Sequence, residues 1–141
     1  MARNLAPPRT PASLVPLALL LLIFHGLLGA DYVIERFALG DANWPGLMRH
    51  LPLDALWLQV VWAMGVWLGV AAAFFLMIRD NASVLLFFAT TLAMIAVAAV
   101  LYSAQIPALM IPVPALLAIL VIVPLFGWIF ARALNRNGHL H

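Results

Sequence analysis

Apolar residues run in four long blocks along the chain, from about Leu14 to Ala30, Ala55 to Ile78, Ala82 to Gln105 and Pro112 to Leu134. Each approaches or exceeds the roughly 20 residues that a helix, rising about 1.5 Å per residue, needs to cross a hydrocarbon core of about 30 Å. None alternates polar with apolar positions, and all are far longer than the ~10-residue strands of an outer-membrane barrel. The pattern predicts an all-α membrane protein, a single domain over residues 1–141 with four transmembrane helices in an antiparallel up-down bundle. Residues 31–53 are then a long outer loop.

The polar punctuation fits these limits. Pro16 suits the first turn of the first helix, where a missing N–H is harmless, and Asp54 suits an N-cap for the second. Arg79, Asp80 and Asn81 are the polar break between the second and third blocks, which requires a tight hairpin with Arg79 closing one helix and Asp80 opening the next. Pro112 and Pro114 fit the opening turn of the fourth helix, while Pro124 should bend it and Gly127 ease the distortion.

Composition identifies the solvent. Of 141 residues, 67% are hydrophobic and 9% charged, against about 45–50% and roughly 25% in a soluble domain. That scarcity of charge excludes a nucleic-acid module and intrinsic disorder. The absence of Cys excludes a disulfide scaffold, thiolate metal ligation and covalent haem attachment.

All seven basic residues are Arg, and their placement predicts orientation. With a cytoplasmic amino terminus, Arg3, Arg9, Arg79, Arg132 and Arg136 lie inside and Arg36 and Arg49 outside, so the positive-inside rule puts both termini in the cytoplasm of a bacterial inner membrane. The second outer connection, Ile106 to Ile111, is uncharged and suits the interface. A competing reading makes the first block a signal peptide cut after Ala30. Leu28, a large residue three before the cut, and the length of the apolar run argue for a retained span.

In lipid, small residues and hydrogen bonds mark helix contacts. Gly65 and Gly69 form a GxxxG continued by Ala72 and Ala73, and Ala89, Ala93, Ala96 and Val100 form a stripe on the next helix. Joined by the shortest loop, the two stripes are expected to face each other, with a dimer or partner-docking face as the alternative. Trp44, Trp57 and Trp128 fall near the boundaries, as interfacial belts require. Trp62 and Trp67 lie deeper, as packed or lipid-facing bulk or else as a pigment or quinone contact. No cofactor is required by any motif.

Interior polar residues are the candidates for function because they are costly to place in hydrocarbon. His25, near the middle of the first block, leads, and Gln59, Thr90 and Thr91 are its expected interhelical hydrogen-bond partners. The alternative role for His25 is proton, metal or cofactor ligation. Gly26 and Gly29 beside it suggest close helix contact. Asp31 and Glu35 share a helical face if the first helix extends outward, with His50 nearby, but no HxxxH or ExxH reinforces them as a metal site. An ion pair with Arg36 or Arg49 is the expected use of that acidic segment, and His139 and His141 are expected on an exposed tail. Ser13, Ser83 and Ser103 lie in no GxSxG, and no phosphate loop or HExxH occurs, so no catalytic residue is expected.

The segment LWLQVVWAMGVWLGVAAAFFLMIRDNASVLLFF, from Leu56 to Phe88, follows an acidic outer loop and joins a glycine-rich helix to the next through a short Arg-containing turn. This layout resembles a group of small bacterial four-helix membrane proteins labelled as sugar transporters. LPLDALW, from Leu51 to Trp57, departs from their aromatic-proline approach to the second helix. The resemblance implies an architecture and assigns no substrate or site residues. Two functions follow as expectations: a non-enzymatic accessory or assembly subunit of a respiratory or photosynthetic membrane complex, or a small facilitative transporter for a sugar or other neutral solute. The expected partners are the bilayer and either another membrane protein or further copies of the chain, not nucleic acid.

Overall fold

A computed structural model describes residues 11–40, 43–44, 46–104, 106 and 111–141. These form five helices, α1 (Leu14–Arg36), α2 (Leu47–His50), α3 (Leu56–Met77), α4 (Ala82–Ser103) and α5 (Val113–Arg136), with no strand among the described residues. α1, α3, α4 and α5, of 22 to 24 residues, are each long and apolar enough to cross a membrane, the property of a multi-pass membrane protein. Arg3, Arg9, Asp41, Gln105 and most of the second outer connection lie outside the described residues.

Two expected limits change. α1 continues beyond Ala30 to Arg36, because the carboxylates of Asp31 and Glu35, charges that mark the end of the apolar run, find partners outside the helix and stay helical. The outer connection therefore starts at Phe37 and holds the short α2. α3 is capped by Ala55, whose carbonyl accepts the Leu58 and Gln59 N–H groups at 3.0 and 3.1 Å; Asp54 is exposed and takes no part. In the short α3–α4 connection, Asp80 Oδ1 accepts the Ala82 N–H at 2.8 Å and opens α4.

Three helices end on a left-handed residue that lets a later N–H reach back into the last turn. Leu39 N–H bonds Ile34 O at 2.9 Å around Ala38 (φ 51°), Asp80 N–H bonds Phe75 O at 2.8 Å around Arg79 (φ 67°), and His139 N–H bonds Leu134 O at 2.9 Å around Gly138 (φ 70°). This Schellman geometry suits Gly and strains a residue with a Cβ by about 1–2 kcal/mol. Arg79 is offset by tertiary bonds: its Nε donates to His139 O at 3.2 Å, its carbonyl accepts His141 N–H at 3.0 Å, and Asn81 N–H donates to His141 O at 3.3 Å. The segment around His139 and His141 is thus docked on the α3–α4 turn, with Leu140 buried and His139 half-buried; of the exposed tail that the sequence suggested, His141 keeps its exposure. Ala38 is exposed and makes no such compensating contact through its side chain. Ala38→Gly is therefore expected to stabilise the protein by up to about 1 kcal/mol. Equilibrium unfolding in mixed micelles measures this, and a loss of stability would count against a left-handed residue at this position.

α1 packs on α3, α3 on α4 and α4 on α5, with α1 and α5 in slight contact. Two apolar clusters fill the interior. One joins Leu28, Trp62, Val66, Met94 and Leu120; the other joins Leu21, Ala72, Phe87 and Ala131. In the 18-residue apolar heart of each long helix only 28–39% of residues are buried, so most of each surface faces outward, as spans surrounded by lipid require.

Candidate functional site

Between the two clusters lies a layer of different composition. On α1, His25 separates Leu21 from Leu28; on α3, Gly69 separates Val66 from Ala72. On α4, Thr90 and Thr91 separate Phe87 from Met94, and on α5, Pro124 and Gly127 separate Leu120 from Ala131. All these polar or small residues are buried.

His25 is fully enclosed. Its Nδ1 lies 2.8 Å from Leu21 O, one turn back on its own helix. A carbonyl only accepts, so Nδ1 carries the proton, and Nε2 of the neutral ring is a bare acceptor. That nitrogen is buried without a hydrogen-bond partner. The ring is flanked by Phe24 and Phe87, edge-on at centroid distances of 5.1 and 5.9 Å.

The expected bonds from His25 to Thr90, Thr91 or Gln59 do not form. Thr90 Oγ1 donates to Leu86 O at 2.9 Å and Thr91 Oγ1 to Phe87 O at 2.7 Å, both on α4 itself. Gln59 Nε2 donates to Leu53 O at 2.8 Å near the start of α3. The reason is proximity: a hydroxyl or imidazole on a helix reaches the carbonyl four residues back without any neighbouring helix having to approach.

Contact between helices in this layer is made by shape. A Cβ on Gly69 would lie 2.8 Å from His25 Nε2, so α3 offers the imidazole a notch that an L side chain would fill. A Cβ on Gly127 would lie 2.7 Å from Phe87 Cε1, so α5 receives the phenyl ring in the same way. The two glycines of the GxxxG serve different neighbours. Gly65 meets α4, where its Cβ would fall 2.9 Å from Met94 Cε and 3.4 Å from Ala93 Cβ, whereas Gly69 meets α1. Ala72 is fully buried, Ala89 and Ala93 are half-buried, and Ala96 is exposed. The inward face of α4 runs instead through Ser83, Phe87, Thr90, Thr91, Met94, Val97 and Leu101. Trp62 is buried and Trp67 is half-exposed beside Tyr32.

At the Arg36 end of α1 the charges are organised by the connection to α3. Asp31, 7% exposed, accepts three hydrogen bonds, from Trp44 Nε1 and Leu47 N at 3.0 Å through Oδ1 and from Met48 N at 2.9 Å through Oδ2. Its carboxylate thereby caps the first turn of α2. Glu35 takes Arg49 in a two-pronged pair at 3.0 and 3.2 Å. His50 Nδ1 donates to Gly46 O at 2.7 Å. These acids are engaged in positioning the connection, and no group of three or more His, Asp or Glu converges among the described residues.

Two grooves open along the α1–α3 seam, and neither is lined by His25. The larger, about 440 Å³, has a floor of Gly26, Gly29 and Ala30 with walls from Val33, Trp67 and Val70. Gly29 touches α3, but a Cβ on Gly26 would meet nothing within 4 Å, so Gly26 lies under open space where the sequence suggested helix contact. The smaller, about 230 Å³, includes Tyr32, Arg36 and Gln59.

Phe87, Gly127 and the capping role of Asp31 escaped sequence reasoning. Only Gly127 carried a signal, as a glycine one turn from Pro124. No family model matches the chain, and no curated protein or solved structure is significantly similar to it.

Proposed function

We propose that this chain is a non-enzymatic subunit of the bacterial inner membrane that docks sideways on a larger membrane complex through the outer face of α1 and α3. The observation carrying this reading is the glycine-floored groove of about 440 Å³ along Gly26, Gly29 and Ala30. Small residues on the outside of a span let another helix approach closely, and here none of the described helices covers Gly26. The interior supports the same reading: the polar groups in the His25 layer bond within their own helices, and neither groove reaches that histidine.

In this reading the four long helices form an antiparallel up-down bundle with both termini cytoplasmic. The docking of His139 and His141 on Arg79 and Asn81 supports it, because it gathers Arg79 and Arg136 at one end. An impermeant thiol reagent should then label His50→Cys but not Asn137→Cys in intact spheroplasts.

Since the chain has no Cys, an Ala30→Cys variant carries one thiol, and a photoactivatable maleimide placed there reads what lies over the groove. In native membranes it should give one discrete heterologous adduct, absent when the label sits on Leu85→Cys, an exposed position of α4. A chain that migrates alone in mild detergent and gives no Ala30-specific adduct contradicts the docking reading. Saturable uptake of a neutral solute into proteoliposomes would replace it with a carrier.

A further inference from the structure

We propose that the smaller groove binds one anionic phospholipid with a hydroxylated headgroup, of the phosphatidylglycerol kind, its phosphate on Arg36 and an acyl chain along Val60, Ala63 and Met64. The inference uses different residues of α1 from the docking face and does not depend on it.

Charge complementarity carries the argument. Arg36 is the last residue of α1, at the rim of the groove, and is exposed. The acids of its own helix do not neutralise it: Asp31 is committed to Trp44 and α2, and Glu35 to Arg49, the single ion pair among the described residues. A guanidinium at a membrane boundary with no carboxylate partner among the described residues is matched by phosphate, which it binds through two parallel N–H groups. The neighbouring polar groups extend the match. Gln59 spends its Nε2 on Leu53 O, which leaves Oε1 as an acceptor for a headgroup hydroxyl. Tyr32 stands edge-on to Trp67 at 6.1 Å, and its phenol is a further donor beside Arg36.

The shape selects a lipid over a helix. About 230 Å³ between α1 and α3 takes part of a hydrocarbon chain, whereas a helix, roughly 10 Å across with its side chains, does not enter. From the cationic rim the lining passes to Val60, Ala63 and Met64, an amphiphilic order matching head followed by tail.

Native mass spectrometry of the full chain, from micelles holding equal phosphatidylglycerol and phosphatidylcholine of the same acyl chains, tests this. One phosphatidylglycerol should be retained in preference by about five-fold. Arg36→Gln should abolish the preference, and Arg136→Gln, a cation at the end of α5, should leave it intact. Ala63→Phe, which fills the tail region with the cation in place, should lower retention of both lipids, and helical circular dichroism should confirm that each variant is folded. Excess inorganic phosphate should not displace the lipid. The proposal is overturned if Arg36→Gln keeps the preference, if Arg136→Gln loses it equally, if phosphate alone competes, or if a copurifying polypeptide protects Ala63→Cys from alkylation in lipid-free micelles.

Discussion

Gly69→Ala is expected to destabilise the protein by about 1–3 kcal/mol, the usual cost of forcing an extra methyl into a filled interior. The direction is informative because Ala is ordinarily better than Gly inside a helix by about 1 kcal/mol. The added Cβ falls on the His25 ring, 2.8 Å from Nε2, and the ring has little freedom to retreat, with Nδ1 held on Leu21 O and phenyl rings of Phe24 and Phe87 on either side. Gly26→Ala supplies the contrast. It lies one residue from His25, yet its Cβ would meet nothing within 4 Å, so it should stabilise by up to about 1 kcal/mol. Denaturation in mixed micelles compares the two. His25→Ala should partly rescue Gly69→Ala, with a coupling of about 1 kcal/mol or more between contacting sites. Additive effects would show that the imidazole and the glycine notch do not pack against each other.

Asp31→Ala should cost about 2–4 kcal/mol, because hydrogen bonds to a charged acceptor are each worth about 1.5–3 kcal/mol and three are lost, offset in part by water. The damage should be regional. Leu47 and Met48 N–H groups lose their acceptor, and the Trp44 indole loses its tie to α1, so the connection between α1 and α3 loosens while the long helices persist. Hydrogen exchange at Leu47 and Met48 reads this directly, and unchanged protection there would refute the capping role. Asp31→Asn should be intermediate: one oxygen remains for Trp44 and Leu47, but an amide NH₂ then faces the Met48 N–H, donor against donor.

The helices themselves were legible because spanning a bilayer is a one-dimensional property of the chain. A run of apolar residues of sufficient length is marked without reference to any other part of the sequence, and the observed Leu56–Met77 and Ala82–Ser103 lie within a residue or two of the runs at Ala55 to Ile78 and Ala82 to Gln105. The break at Arg79 and Asp80 was readable for the same reason. The charge at Asp31 ends the apolar run but not the helix, which continues to Arg36, since helical backbone extends past the hydrocarbon when its polar side chains are satisfied.

The sides of the helices were less legible. In water the contrast between polar and apolar faces tells which side of a helix is buried. In lipid both the interior and the surroundings are apolar, so that contrast fades, and Ala96 and Ala72 look equivalent although one is exposed and the other enclosed. The assignment of Gly65 to α4 and Gly69 to α1 therefore depends on which helices are neighbours, and so does the notch in α5 that receives Phe87.

The sequence alone determined the number of apolar spans, their approximate ends and the few polar residues within them, because length and hydropathy act locally. Tertiary structure decided what those polar residues do. His25 turned to its own helix and Asp31 to residues 13 to 17 positions away, because a hydrogen bond depends on which groups folding brings within about 3 Å.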